Sequence, residues 1–145
     1  MNIVTLDVET TTTKKPNGSW TPSPFFKNLL VSVGYKRITD VGVDYLCFHH
    51  EKETPTAGGF EQVRSALEWC ELLVGHNIKF DLMWLRECGW SYDGKLYDTM
   101  VGEYILAGSR RWPLSLAALA EKYTQASSCE SVGAFANSQD DNGAN

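Results

Sequence analysis

Ile3-Val4-Thr5-Leu6-Asp7-Val8-Glu9-Thr10-Thr11 is the stretch that decides the fold. Val4, Leu6 and Val8 alternate with Ile3, Thr5, Asp7 and Glu9, the two-residue period of a strand with one buried face. Asp7 and Glu9, one residue apart, leave such a strand on the same side. Two acids that close repel one another, and burying them is unfavourable unless a cation lies between them. A pair that closes an apolar run reads either as a metal site or as a solvated strand end. The pair alone does not choose between these.

Outward from this strand, residues 10–24 are rich in Thr, Pro, Lys and Gly and predict an exposed loop. Leu29 to Tyr35 and Val43 to His49 read as two further strands around the polar turn 36–40, which together with the first suggest an antiparallel meander. After residues 51–59 the period changes. Phe60, Val63, Leu67 and Cys70 recur at helical spacing, with Glu61, Arg64 and Glu68 between them. Leu72-Leu73-Val74 reads as a short buried parallel strand, and Lys79 to Cys88 as a helix that Gly89 stops.

A brief strand at Leu96-Tyr97 ends at Asp98-Thr99. It leads into a helix that carries Met100, Val101, Tyr104 and Ile105 on one face. Ser115 suits the cap of a last helix with an apolar stripe of Leu116, Leu119, Ala120 and Tyr123. Strands that lead and then alternate with helices predict an α/β layer on a mixed sheet. Residues 1–123 form the expected domain. Residues 124–145 lack periodicity, hold only Val132 and Phe135 as apolar anchors, and read as a disordered tail.

The composition bounds the function. A length of 145 residues with 43% apolar and 21% charged residues suits one domain with a real core. A formal charge of -5 argues against a broad basic DNA-binding face, though not against an acidic site that reaches phosphates through divalent cations. Cys47, Cys70, Cys88 and Cys129 are widely spaced without a CxxC pair, which favours reduced core thiols over disulfides or zinc. The N-terminus is too short and acidic for a signal peptide, and no run approaches membrane-spanning length, so a cytoplasmic protein without a membrane partner is expected. No phosphate-binding GxxxxGK[ST] loop, GxGxxG turn or GxSxG elbow occurs.

A second cluster, Gly75-His76-Asn77-Ile78-Lys79-Phe80-Asp81, follows the buried strand and opens a helix. Asp81 there suits the helix field, and Asn77 suits a turn, so each has a purely local explanation. Both clusters nevertheless end strands at what should be one sheet edge, where α/β proteins place their sites. His76 reads as a turn or core histidine before a catalytic base, and His49 and His50 as solvated. Asp98 reads as a structural helix cap before a metal ligand. Lys79, Arg86, Arg110 and Arg111 could touch phosphates or simply form a charged face. Trp20, Phe25 and Phe26 could stack on terminal bases or pack over the sheet.

With these residues in place, the chain resembles the DEDD superfamily of 3'–5' exonucleases, whose fold is ribonuclease-H-like. Leu6-Asp7-Val8-Glu9-Thr10-Thr11 is similar to the first motif and Asn77-Ile78-Lys79-Phe80-Asp81 to the second. Tyr97 to Leu106 and Leu114 to Tyr123 look like segments of the proofreading domain of family A DNA polymerases. The resemblance implies an α/β fold in which an antiparallel meander precedes parallel strands with flanking helices. It also implies a metal-dependent exonuclease using Mg2+ or Mn2+, two ions in a complete site and one with fewer ligands. Asp7, Glu9 and Asp81 would be the catalytic metal ligands. Thr10, Asn77 and Phe80 would contact substrate or support those ligands. A single-stranded DNA or primer 3' end would be the substrate.

One departure matters. The superfamily's last motif places a Tyr or His a few residues before a fourth metal-binding Asp. Here Tyr123 is followed by Thr124-Gln125-Ala126-Ser127, and Asp140 and Asp141 have no such Tyr or His before them. The resemblance therefore implies a C-terminally incomplete fold. It leaves two readings open: a proofreading-type exonuclease, or a catalytically weak binding or scaffold module whose site a polymerase segment or another chain completes.

Overall fold

The computed structural model describes residues 1–108, 110 and 113–124. Arg111, Trp112, Cys129, Val132, Phe135, Asp140 and Asp141, and with them residues 125–145 of the expected tail, lie outside the described residues, whereas Thr124 is the last residue of a helix. The chain divides into two compact units, Met1–Gly102 and Glu103–Asn145.

The first unit is built on a five-stranded mixed sheet. Its strands are β1 (Ile3–Thr10), β4 (Leu30–Arg37), β5 (Asp44–Cys47), β6 (Leu72–Gly75) and β7 (Lys95–Asp98), in the order β5-β4-β1-β6-β7. β4 pairs antiparallel with both β1 and β5, whereas β6 runs parallel to both β1 and β7. This is the meander followed by parallel strands that the sequence predicts, with β1 at the centre. Val4, Leu6 and Val8 are buried, and Thr5, Asp7 and Glu9 are exposed, so the alternation in β1 sets the faces of the whole sheet. Helices α1 (Gly59–Trp69) and α2 (Ile78–Glu87) contribute Val63, Ala66, Leu67, Trp84 and Leu85 to the same core.

Residues 10–24 differ from the expected exposed loop. They contain a small hairpin, β2 (Thr13–Lys14) paired with β3 (Trp20–Thr21), and a 3-10 turn at Pro24–Phe26. The cause is Asn28, which is buried although polar. Its amide nitrogen donates to the carbonyls of Thr21 and Ser23 at 2.8 Å each, and its Oδ1 accepts from the Thr13 hydroxyl at 2.8 Å. A segment without a hydrophobic period is thus closed by one amide side chain. The turn expected at 36–40 also begins later, because β4 continues through Arg37 opposite Val4.

α3 (Thr99–Ala107) and α4 (Leu116–Thr124) form where helices are expected, but their apolar faces are not inside. Only Glu103 is buried in α3, while Val101, Tyr104 and Ile105 are exposed. In α4 only Leu119 is buried, and Leu116 and Tyr123 are exposed. Ser115 does receive the amide of Ala118 on its hydroxyl at 3.3 Å. Within the second unit, Glu103 accepts from Lys122 Nζ and, at 2.6 Å, from the Tyr123 hydroxyl. Both contacts hold its carboxyl below the usual range, the Lys122 contact more than the Tyr123 contact.

Candidate active site

β1 and β6 point the same way, so their carboxyl ends open on one edge of the sheet. Pairing between them covers only Ile3 to Thr5, and β1 runs on beyond it without a neighbour on that side. The second half of the strand must satisfy its outward amides some other way. Asp81, in the first turn of α2, does this: its Oδ1 accepts the Val8 amide at 3.0 Å. A side chain from 73 residues away is thereby fixed beside the backbone between Asp7 and Glu9.

Electrostatics couple Asp7 to each of the other two acids. Asp81 is 2% exposed. Burial and then the Asp7 charge push its pKa up to about 7, against the lowering effect of the Val8 amide. Partial desolvation lifts the carboxyl of Glu9, which still reaches solvent, and the charge of Asp7 lifts it further. Asp7 is also raised by desolvation, with His76 acting in the opposite sense. Each of the three acids thus resists ionisation, and Asp7 feels or exerts a charge effect with both of the others. Such a group favours a divalent cation, which would relieve the repulsion.

Local geometry sets the remaining groups. Glu9 lies opposite Ser32 and Asp7 opposite Gly34, so only small residues flank the acids on that face. A bulge between Glu9 and Thr10 breaks the register at the strand end and leaves Thr10 half-buried. Gly75 lets the first residue of α2 pack closely, since a Cβ there would lie 3.0 Å from Ile78 Cγ1. Asn77 adopts the left-handed conformation (φ 59°), which asparagine tolerates, and its side chain makes no capping bond. Phe80 is half-buried against the core.

Asp98 does not join the acids. Its Oδ1 accepts the amides of Asn77 and Met100 at 3.0 and 2.9 Å, and its Oδ2 accepts that of Ile78 at 3.1 Å. One carboxylate thus holds the starts of α2 and α3. His76, read from the sequence as a turn or core histidine, is held in the turn after β6. Its Nδ1 lies 2.9 Å from Thr99 Oγ1, which itself donates to the Gly75 carbonyl at 3.2 Å. With that hydroxyl proton used, the ring donates to Thr99 through Nδ1. No period or spacing marks this contact, because it joins the ends of two neighbouring parallel strands.

The donors are all oxygen, which suits Mg2+ or Mn2+ chemically. As arranged they do not complete a centre: among the described residues no group of three or more His, Cys, Asp and Glu side chains is placed to hold a metal ion. Asp7 and Glu9 lie on the exposed face of β1, whereas Asp81 is committed to the Val8 amide.

Fold and sequence together place this chain in the 3'–5' exonuclease family of the DNA polymerase A type, whose profile matches residues 35–138. It is accordingly a ribonuclease-H-like domain of the DEDD superfamily. The match begins within β4, so Asp7 and Glu9 lie outside it. Among solved structures, the chain is similar to Brucella melitensis NrnC with bound Mg2+, at 13% identity and a TM-score of 0.54 over 86% of this chain and 54% of that one. NrnC from the same organism bound to pGG matches at 14% identity and a TM-score of 0.55, over 86% and 53%. A nuclease in its apo form matches at 12% identity and a TM-score of 0.57, over 88% and 54%. These likenesses show the fold, and the chain spans about half the length of each structure. No curated protein sequence matches it.

Proposed function

We propose that this chain is a nucleic-acid-binding module of the exonuclease fold whose own hydrolysis is weak, and whose metal site needs a further carboxylate from another segment or chain. The observation that carries this reading is the partial site. Asp7 and Glu9 stand on β1 and Asp81 accepts the Val8 amide between them, yet the three acids form no complete metal centre among the described residues. Two cations about 4 Å apart can activate water, relieve phosphoryl charge and stabilise the leaving oxygen. Of this chain's residues, Asp7, Glu9 and Asp81 would hold such ions. Thr10, Asn77 and Phe80 would contact the substrate or support those ligands.

The competing reading, a self-sufficient proofreading exonuclease, is favoured by the presence of all three acids. The Mg2+ bound in one of the similar NrnC structures supports the same choice of cation for either reading. The test is release of nucleotide from a 3'-labelled single-stranded oligonucleotide by the purified chain in Mg2+ or Mn2+. Slow release, lost in Asp7→Ala, is expected. Brisk release would establish the self-sufficient enzyme instead. Calorimetric titration with Mn2+ should show uptake by the parent chain and loss of it in Asp7→Ala.

A further inference from the structure

The hairpin and turn that follow β1 hold large aromatic rings out of the core. Trp20, Phe25 and Phe26 are 64%, 69% and 41% exposed. Their backbone is not loose. Asn28 ties Thr13, Thr21 and Ser23 together, and Thr11 donates its amide to the Leu29 carbonyl while its hydroxyl accepts the Leu29 amide. The Trp84 indole N–H also donates to the Pro22 carbonyl at 3.1 Å. An ordered segment that presents aromatic faces to water is placed for a partner with flat apolar surfaces.

The charge pattern narrows that partner. The chain carries a net -5, yet no Asp or Glu occurs between Glu9 and Asp40. Lys14, Lys15 and Lys27 all fall in the hairpin and turn, and Lys15 Nζ sits 5.2 Å from the centre of the Phe26 ring. Rings interleaved with lysines suit stacked bases joined by phosphates better than a protein surface. The segment also lies close to the acids. It leaves β1 directly after Glu9. α2, which presents Asp81 to Val8, presents Trp84 to Pro22 one helical turn later.

We propose that the β2–β3 hairpin and its 3-10 turn form a metal-independent binding surface for the unpaired end of a single-stranded nucleic acid. Trp20 and Phe25 stack on bases, and Lys14, Lys15 and Lys27 meet phosphates. The inference deepens the proposed function, since it supplies the grip on the strand that the acids alone lack. It needs no metal and so can fail separately.

The experiment measures fluorescence anisotropy of a labelled oligothymidylate against the full chain in EDTA. It also uses an oligonucleotide with abasic sites at its 3' end. Trp20→Ala/Phe25→Ala is expected to weaken binding about tenfold or more. Trp20→Phe, which keeps a stacking face, should recover much of the loss. Abasic sites should weaken binding to the parent and have little further effect on the double variant. Both side chains are exposed, so melting temperatures should match the parent and exclude unfolding. No binding by the parent in EDTA overturns the proposal. So does equal binding by the double variant, or a change in its oligomeric state with oligonucleotide binding unaltered. Asp7→Asn separates the two readings: it should abolish Mn2+ uptake and leave binding in EDTA intact. If the parent takes up no Mn2+ yet still needs its aromatic rings to bind, the carboxylate reading fails and this surface stands.

Discussion

Asp81 and Asp98 are both acids near the start of α2, and their surroundings give them opposite tasks. Asp81 is buried, repelled by Asp7 and raised to about 7. In the unfolded chain it would ionise near 4. Between those values the unfolded state binds fewer protons than the folded one, so stability falls as pH rises from about 4 to about 7. In EDTA this loss should reach roughly 2–4 kcal/mol, measured as the urea-denaturation difference between the parent and Asp81→Asn across that range. Addition of Mn2+ should offset the loss if the acids bind the ion. Asp98 instead accepts amides from the first turns of two helices. Asp98→Ala should lower stability by about 2 kcal/mol in urea melts, more than a single cap usually supplies. Asp98→Asn, which keeps one acceptor oxygen, should lose less.

The β2–β3 hairpin is too short to stand alone, since two paired residues on each side cannot bury a hydrophobic face. Its order comes from Asn28 and from the Pro22 carbonyl bond to Trp84. Asn28→Ala should therefore loosen residues 13–28 without unfolding the sheet. Hydrogen exchange in that segment should accelerate by at least about tenfold, with the amides of β1 and β6 little changed. Equal acceleration across the sheet would mean that the hairpin is part of the core. For α3 and α4 the apolar residues at helical spacing were visible in the sequence, but the face they would present was not. Periodicity states that one side of a helix is apolar. Whether another element covers that side depends on the rest of the fold.

The core of the first unit centres on β1, β4 and β6, where Val4, Val33 and Leu73 are fully buried. Leu73→Ala should destabilise by about 3 kcal/mol in urea melts, because the packed neighbours of the central sheet can close only part of the void. A much smaller loss would indicate that this interior repacks freely. The alternation Val4, Leu6, Val8 against Thr5, Asp7, Glu9 was enough to place two acids on one face, because a strand's side-chain period is local. The run Leu72-Leu73-Val74 likewise foretold a buried parallel strand, and the motif resemblance supplied the family. Three things came only from the folded chain: Asp81 meeting the Val8 amide, Asn28 closing the hairpin, and His76 held by Thr99. Each is a hydrogen bond between residues far apart along the chain, or within a segment that has no hydrophobic period. Its geometry arises when the sheet brings strand ends together, and no spacing along the chain encodes it.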